Sequence, residues 1–239
     1  MLSGGCAIAA MAPEWYSLTR HRLAVLISGR GTNLQAIVEA CRNGKIPDCG
    51  VSGVISSRPD APGLDWSRKQ EIPSQTLSHR DFPGREPFDS ALAQAIDRLE
   101  PDWVVLAGFM RQLTPAFVER YLGRLVNIHP SLLPAFPGLH THRSAIDAGV
   151  CWHGATVHFV TQELDAGPII AQGIIPVASE DSADSLARKV LSLEHRLYPQ
   201  ALSWLVAGQV ALRENRSHWT SPPPASRSGA MINPEAGIL

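Results

Sequence analysis

The apolar run Leu23-Ala-Val-Leu-Ile27 is short, unbroken and closed by Ser28-Gly29. A strand covered by helices on both sides has no solvent face to mark with polar residues, so a run of this kind suits a parallel sheet. The period then changes: Leu34, Ile37, Val38 and Cys41 fall at helical spacing, and Gly44 stands just beyond as a stop. The alternation continues, with strands expected near Val51 to Ile55, near Gln75, over Trp103 to Ala107 and over Leu125 to Ile128. Helices are expected from about Gly63, from Pro87 to Leu99 and from Pro115. Such a succession predicts an α/β fold, a doubly wound and mostly parallel sheet of the Rossmann-like kind.

The second half reads differently. Ala155 to Val160 alternates, with Val157 and Phe159 toward one side and Thr156 and His158 toward the other, and another strand is expected near Ile169 to Ile175. This C-terminal part is expected to be antiparallel. From about Asp184 a long helix places Leu186, Val190, Leu193 and Leu197 on one stripe, and Pro199 is expected to bend or end it. Residues 21–214 then form one domain. Residues 1–20 and the stretch 215–239, with its Ser221-Pro-Pro-Pro, are expected to be mobile tails, because they offer too little apolar surface to offset ordering entropy.

Composition narrows the function classes. A formal net charge of -1 gives no basic field for nucleic acid, so an anionic ligand has to be held by local groups. The four cysteines, Cys6, Cys41, Cys49 and Cys151, form no C-x-x-C pair or dense framework and are expected to be free, buried thiols in a reducing compartment. No basic residue precedes the apolar patch Cys6 to Met11, which argues against a signal peptide, and no apolar run is long enough to span a bilayer. A cytoplasmic protein is expected, working on small molecules as a monomer or homodimer.

Two segments carry candidate chemistry. Gly29-Arg-Gly-Thr-Asn33 follows a buried strand and opens a helix, so its backbone N–H groups and the positive helix end face outward together, which suits a phosphate. Asn33 and Leu34 stand where a dinucleotide fingerprint has its third glycine, so a ribose-phosphate monoester is favoured over a dinucleotide. The second segment is Asn127-Ile-His-Pro-Ser-Leu-Leu-Pro134, with an acid downstream in Leu164-Asp-Ala-Gly167. Asn127 and His129 occupy alternate strand positions, point the same way and suit an oxygen that becomes negative during reaction. Asp165 could instead be simple turn chemistry. His140, His142 and His158 with Asp165 match no usual zinc spacing, and no metal is expected.

The Asn-x-His-Pro-Ser-Leu-Leu-Pro run with its Leu-Asp-x-Gly resembles the folate-dependent formyltransferases. Ser28-Gly-Arg-Gly-Thr-Asn33, Leu106-Ala-Gly-Phe-Met-Arg111 and Pro137-Gly-Leu-His-Thr-His-Arg143 extend the similarity over Leu23 to Leu212. The resemblance implies transfer of a formyl group from 10-formyltetrahydrofolate to the amine of 5-phosphoribosylglycinamide in purine synthesis, without a metal. It implies catalytic roles for Asn127, His129 and Asp165, and a nucleotide phosphate held at Gly31, Thr32 and Asn33. Glu194 is implied near the substrate amine, and Arg85, Met110, Arg111, Gln112, Leu113 and Asn127 along the folate site. Ala166 stands where relatives often have glycine, a substitution that would be strained at positive φ. Formyl-folate enzymes acting on methionyl-tRNA, a sugar nucleotide or water are the rival readings; a tRNA enzyme is expected to add a C-terminal domain and a basic surface, and a deformylase an N-terminal regulatory domain.

Overall fold

A computed structural model describes residues 20–220 together with 231–232. Its first half alternates strand and helix as the pattern predicts. β1 (His21–Ile27), β2 (Cys49–Ser56), β3 (Ser74–Thr76), β4 (Trp103–Leu106) and β5 (Leu125–His129) pair in parallel in the order β3-β2-β1-β4-β5. The helices between them are α1 (Thr32–Arg42), α2 (Pro62–Lys69), α3 (Arg85–Asp97) and α4 (Pro115–Arg120). α3 begins two residues earlier than expected, at a Gly84 cap.

The strand burial explains the unbroken apolar runs. Leu23, Val25 and Ile27 of β1 pack with Leu34, Ile37 and Val38 of α1 on one face, while Ala24 and Leu26 pack with Leu92 and Ile96 of α3 on the other. Each strand thus serves two apolar layers, and period two is invisible in its sequence.

After β5 the direction reverses. α5 (Thr141–Asp147) leads to β6 (Trp152–Phe159), which is antiparallel to β5 and then to β7 (Ile169–Pro176). A two-residue strand, Met231–Ile232, pairs antiparallel with β7 at the sheet edge. α6 (Ala183–Val206) covers one face, with Leu186, Val190, Leu193 and Leu197 buried along its stripe.

Two expectations are corrected. Pro199 does not end α6, which continues to Val206. The second half buries Ala201, Leu202, Trp204 and Leu205, and at about 1.5–3 kcal/mol per large apolar side chain this outweighs the roughly 3 kcal/mol cost of an interior proline. The domain also does not close at residue 214: β8 (Val210–Arg213) and β9 (Arg216–Trp219) form a hairpin, and Trp219 stacks edge-on against Trp204 at 5.2 Å. Of the expected tail from 215, residues 215–220 and Met231–Ile232 are described and the rest lies outside the described residues, as does the other expected tail, 1–20, except for Arg20. Of the thiols expected to be buried, Cys49 is, Cys41 is half-buried and Cys151 is exposed; Cys6 lies outside the described residues. Among the described residues no helix is long and apolar enough to cross a membrane.

Candidate active site

The strand order reverses between β1 and β4, and at such a switch point the loops leaving neighbouring strands diverge and open a crevice beyond their carboxyl ends. The glycine turn after β1, the Gly108–Leu113 segment after β4 and the end of β5 all lie there.

The glycine turn forms the start of α1. Gly31 is its N-cap, with φ +71, and no side chain caps the helix, so the first-turn N–H groups are left for a ligand. A side chain at Gly31 would be strained at that φ, and a Cβ there would stand 3.1 Å from the Gly63 Cα. Thr32 is half-buried beside it. Asn33 turns inward and donates from Nδ2 to Glu194 Oε2 at 2.6 Å, tying α1 to α6. Glu194 is 7% exposed, and its burial pushes the carboxyl up to about 7 despite the opposing Asn33 hydrogen bond.

The polar centre arises from register. Asn127 pairs with His158 across β5 and β6, and His129 with Thr156. The alternate positions Val126, Ile128, Val157 and Phe159 join the apolar core under α6, so the four polar residues share the opposite face. Asn127 and His129 do project to the same side, as alternation requires. Thr156 is structural: its hydroxyl donates to Ser131 O at 2.7 Å and accepts from Leu133 N at 3.1 Å, fixing the proline-bounded segment after His129.

Hydrogen-bond directions assign the ring states. An amide nitrogen only donates, so Asn127 Nδ2 donates to His158 Nε2 at 3.2 Å, and His158 Nδ1 then donates to the Phe159 carbonyl at 3.0 Å. That is a neutral ring, in keeping with burial that pulls His158 below the usual histidine range against the raising effect of the Phe159 carbonyl and Asp165. His129 Nε2 donates to the Phe136 carbonyl at 3.0 Å, while Nδ1 faces Asp165 Oδ2 at 3.4 Å.

Asp165 is held from two sides. Gly138 N–H donates to Oδ2 at 2.9 Å, His129 lies at 3.4 Å, and Oδ1 is 3.9 Å from His158 Nε2. The strain expected at Ala166 falls elsewhere: Asp165 itself has φ +50, and Phe136 and His140 on the facing loop are also left-handed, at +54 and +61. Such costs persist where surrounding contacts over-determine the backbone. Gly167 closes the loop where a Cβ would meet Phe159 O at 1.8 Å.

A cleft opens on this centre, walled by Asn127, His158 and Asp165 on one side and by Phe109, Arg111 and Leu113 on the other. Gln112 also lines it. His129 stands behind Asp165 rather than on the wall. Arg85, the exposed first residue of α3, and the side chain of Met110, 66% exposed, are not among the residues walling the cleft. His158 is the group that the sequence reading missed as part of the polar centre; the alternation of β6 set it on a polar face with Thr156, but its place opposite Asn127 comes from the β5–β6 register. His142 and His153 pair with each other, Nδ1 to Nε2 at 3.2 Å, and His140 occupies the N-cap position of α5 without a side-chain capping hydrogen bond.

Residues 21–202 match the family model for formyl transferases. The chain belongs to the formyl transferase family. It is 51% identical over 193 residues to phosphoribosylglycinamide formyltransferase of Escherichia coli K12, covering 81% of this chain and 91% of that one. The crystal structure of glycinamide ribonucleotide transformylase 1 from Symbiobacterium toebii superposes with a TM-score of 0.81 at 44% identity, covering 83% and 93%. A formyltetrahydrofolate deformylase from Pseudomonas syringae pv. tomato is more distant, at 28% identity and TM-score 0.78 over 85% of this chain and 67% of that one. Formyl transferase family membership thus covers the glycine turn, the cleft and the β5–β6 polar centre together.

Proposed function

We propose that this chain transfers the formyl group of 10-formyltetrahydrofolate to the primary amine of 5-phosphoribosylglycinamide, a step of purine biosynthesis. The observation that carries this reading is the juxtaposition of an uncapped, glycine-turned helix start with a cleft walled by Asn127, His158 and Asp165. The nucleotide phosphate sits on the N–H groups of Gly31, Thr32 and Asn33, and its glycinamide arm runs past Glu194. The folate lies along Arg111, Gln112 and Leu113, with Met110 and Arg85 at its outer end. The enzyme works in the cytoplasm as a monomer or homodimer, with no metal.

The amine nitrogen attacks the formyl carbon, and a C–N bond forms as the carbonyl electrons move to oxygen. The second N–H of the Asn127 amide, free of His158, donates to that oxygen; preorganised donors of this kind cost nothing to reorient as charge develops. The amine loses one proton and N10 gains one as its bond to carbon breaks, so the Asp165–His129 pair has to take and return a single proton, directly or through water. His158, neutral and accepting from Asn127, fixes which way the amide points.

Product mass after incubation of the nucleotide with formyl-folate tests the reaction: a formylated nucleotide supports it, and its absence refutes it. Release of formate without nucleotide would support the deformylase reading instead. Asp165→Asn and His129→Ala are expected to lower kcat by roughly 100-fold, about 3 kcal/mol, with smaller effects on binding. Parent-like turnover in both would reject the assigned roles.

A further inference from the structure

One buried hydroxyl spans the switch point and has no part in the chemistry above. Ser28, 6% exposed, ends β1 just before the glycine turn, and its Oγ accepts from the Met110 N–H at 2.9 Å. The same oxygen lies 2.7 Å from Ser57 Oγ at the end of β2, and Ser57 is 2% exposed. With Met110 on one lone pair, Ser28 can direct its single proton to Ser57.

This contact joins the glycine turn to the segment after β4. Below it the strands are locked, with Ala107 N–H on Leu26 O at 2.9 Å and Ser57 N–H on Ile27 O at 3.2 Å. Above it, the Gly29 carbonyl accepts from the Gly63 N–H at 3.1 Å, and Gly108 turns the chain at φ +76. Among the described residues, the Ser28–Met110 hydrogen bond is the one that ties the phosphate turn to the segment running into Arg111, Gln112 and Leu113. A ligand that shifts either segment therefore acts on the other through this bond.

We propose that Ser28 is a positioning residue that couples the two substrate sites, so that a nucleotide on the glycine turn tightens the folate pocket and a folate tightens the turn. The coupling is reciprocal by thermodynamic necessity. This inference rests on the two sites assigned under the proposed function.

Titration calorimetry tests it with 5-phosphoribosylglycinamide and an unreactive folate analogue, each measured alone and with the other saturating. In the parent, each ligand is expected to bind at least about fivefold tighter when the other is present, the lower end of ordinary coupling. In Ser28→Ala that ratio is expected to fall to within about twofold of unity, while each ligand alone still binds. Ser57→Ala, which leaves the Met110 bond in place, is expected to keep most of the ratio. Ser28→Cys, nearly isosteric but a poor acceptor, gives the same reading as Ser28→Ala should the alanine variant fail to fold. A parent ratio near one, or a parent-like ratio in the Ser28 variants, overturns the inference while leaving the proposed reaction intact. Failure of the parent to bind either ligand would instead overturn the site assignment itself.

Discussion

Glu194 is a carboxyl group nine-tenths buried on α6, raised from 4.5 to about 7 chiefly by burial, and it accepts a hydrogen bond from Asn33 Nδ2. Replacing it with glutamine removes the ionisation and keeps an oxygen that can accept from Asn33. The sign follows from proton counting. Between pH 4.5 and 7 the unfolded chain has released this proton and the folded chain has not, so stability falls as pH rises through that window. The contribution is fully present below the unfolded value and lost once the folded value is passed. A rise of this size corresponds to about 3 kcal/mol. Urea unfolding of the parent and Glu194→Gln at several pH values between 4.5 and 8 reads the difference directly. The two are expected to be close in stability near pH 4.5, with the variant gaining as pH rises and leading by up to about 3 kcal/mol at pH 8. Tyr198 adds a second readout, because its hydroxyl is held high by burial and then by the Glu194 charge. Parallel pH profiles for the two proteins, or a less stable variant at pH 8, would refute the claim that the carboxyl ionises at the expense of the fold.

Other substitutions follow from geometry. Gly31→Val places a β-branched residue at φ +71 against Gly63, and is expected to weaken nucleotide affinity tenfold or more, about 1.4 kcal/mol; equal loss of folate affinity would contradict the assignment of that turn. Gly167→Ala drives a methyl into the Phe159 carbonyl, so thermal unfolding should show a loss of about 3 kcal/mol, and activity should fall with the displaced Asp165 loop. An unperturbed melting temperature would contradict that contact. Tyr198→Phe leaves the Leu106 and Val126 carbonyls without the hydroxyl that reaches both, at 3.0 and 3.1 Å; denaturant unfolding should show a loss of about 1–3 kcal/mol. A neutral result would mean that water replaces it.

How much the sequence disclosed depended on the range of the interaction. The β1 run, the α1 stripe and the Val157/Phe159 alternation are local signals, and each predicted its element and its buried face. The polar residues of β5 were legible as a pair for the same reason. Their partner His158 was not, because cross-strand register is set between segments far apart in the chain. The β8–β9 hairpin was hidden by its turn: Glu214 and Asn215 both adopt positive φ, at 48 and 57, without the glycine that usually advertises such a loop. Pro199 misled because local propensity gave way to the apolar surface that the rest of α6 buries.

The boundary between the parallel and antiparallel halves of the sheet runs along β5, so the crevice is lined by segments that reach it through two kinds of connection. The glycine turn and Asn127 belong to strands joined by helical crossovers, whereas His158 and Asp165 arrive on a neighbouring antiparallel pair. The apolar layer beneath them is continuous, with residues of β1, α1, β6 and α6 in one cluster, and Asn33 joins Glu194 across the two halves. Damage to either half is therefore expected to reach the other, and loss of ligand and loss of turnover should go together.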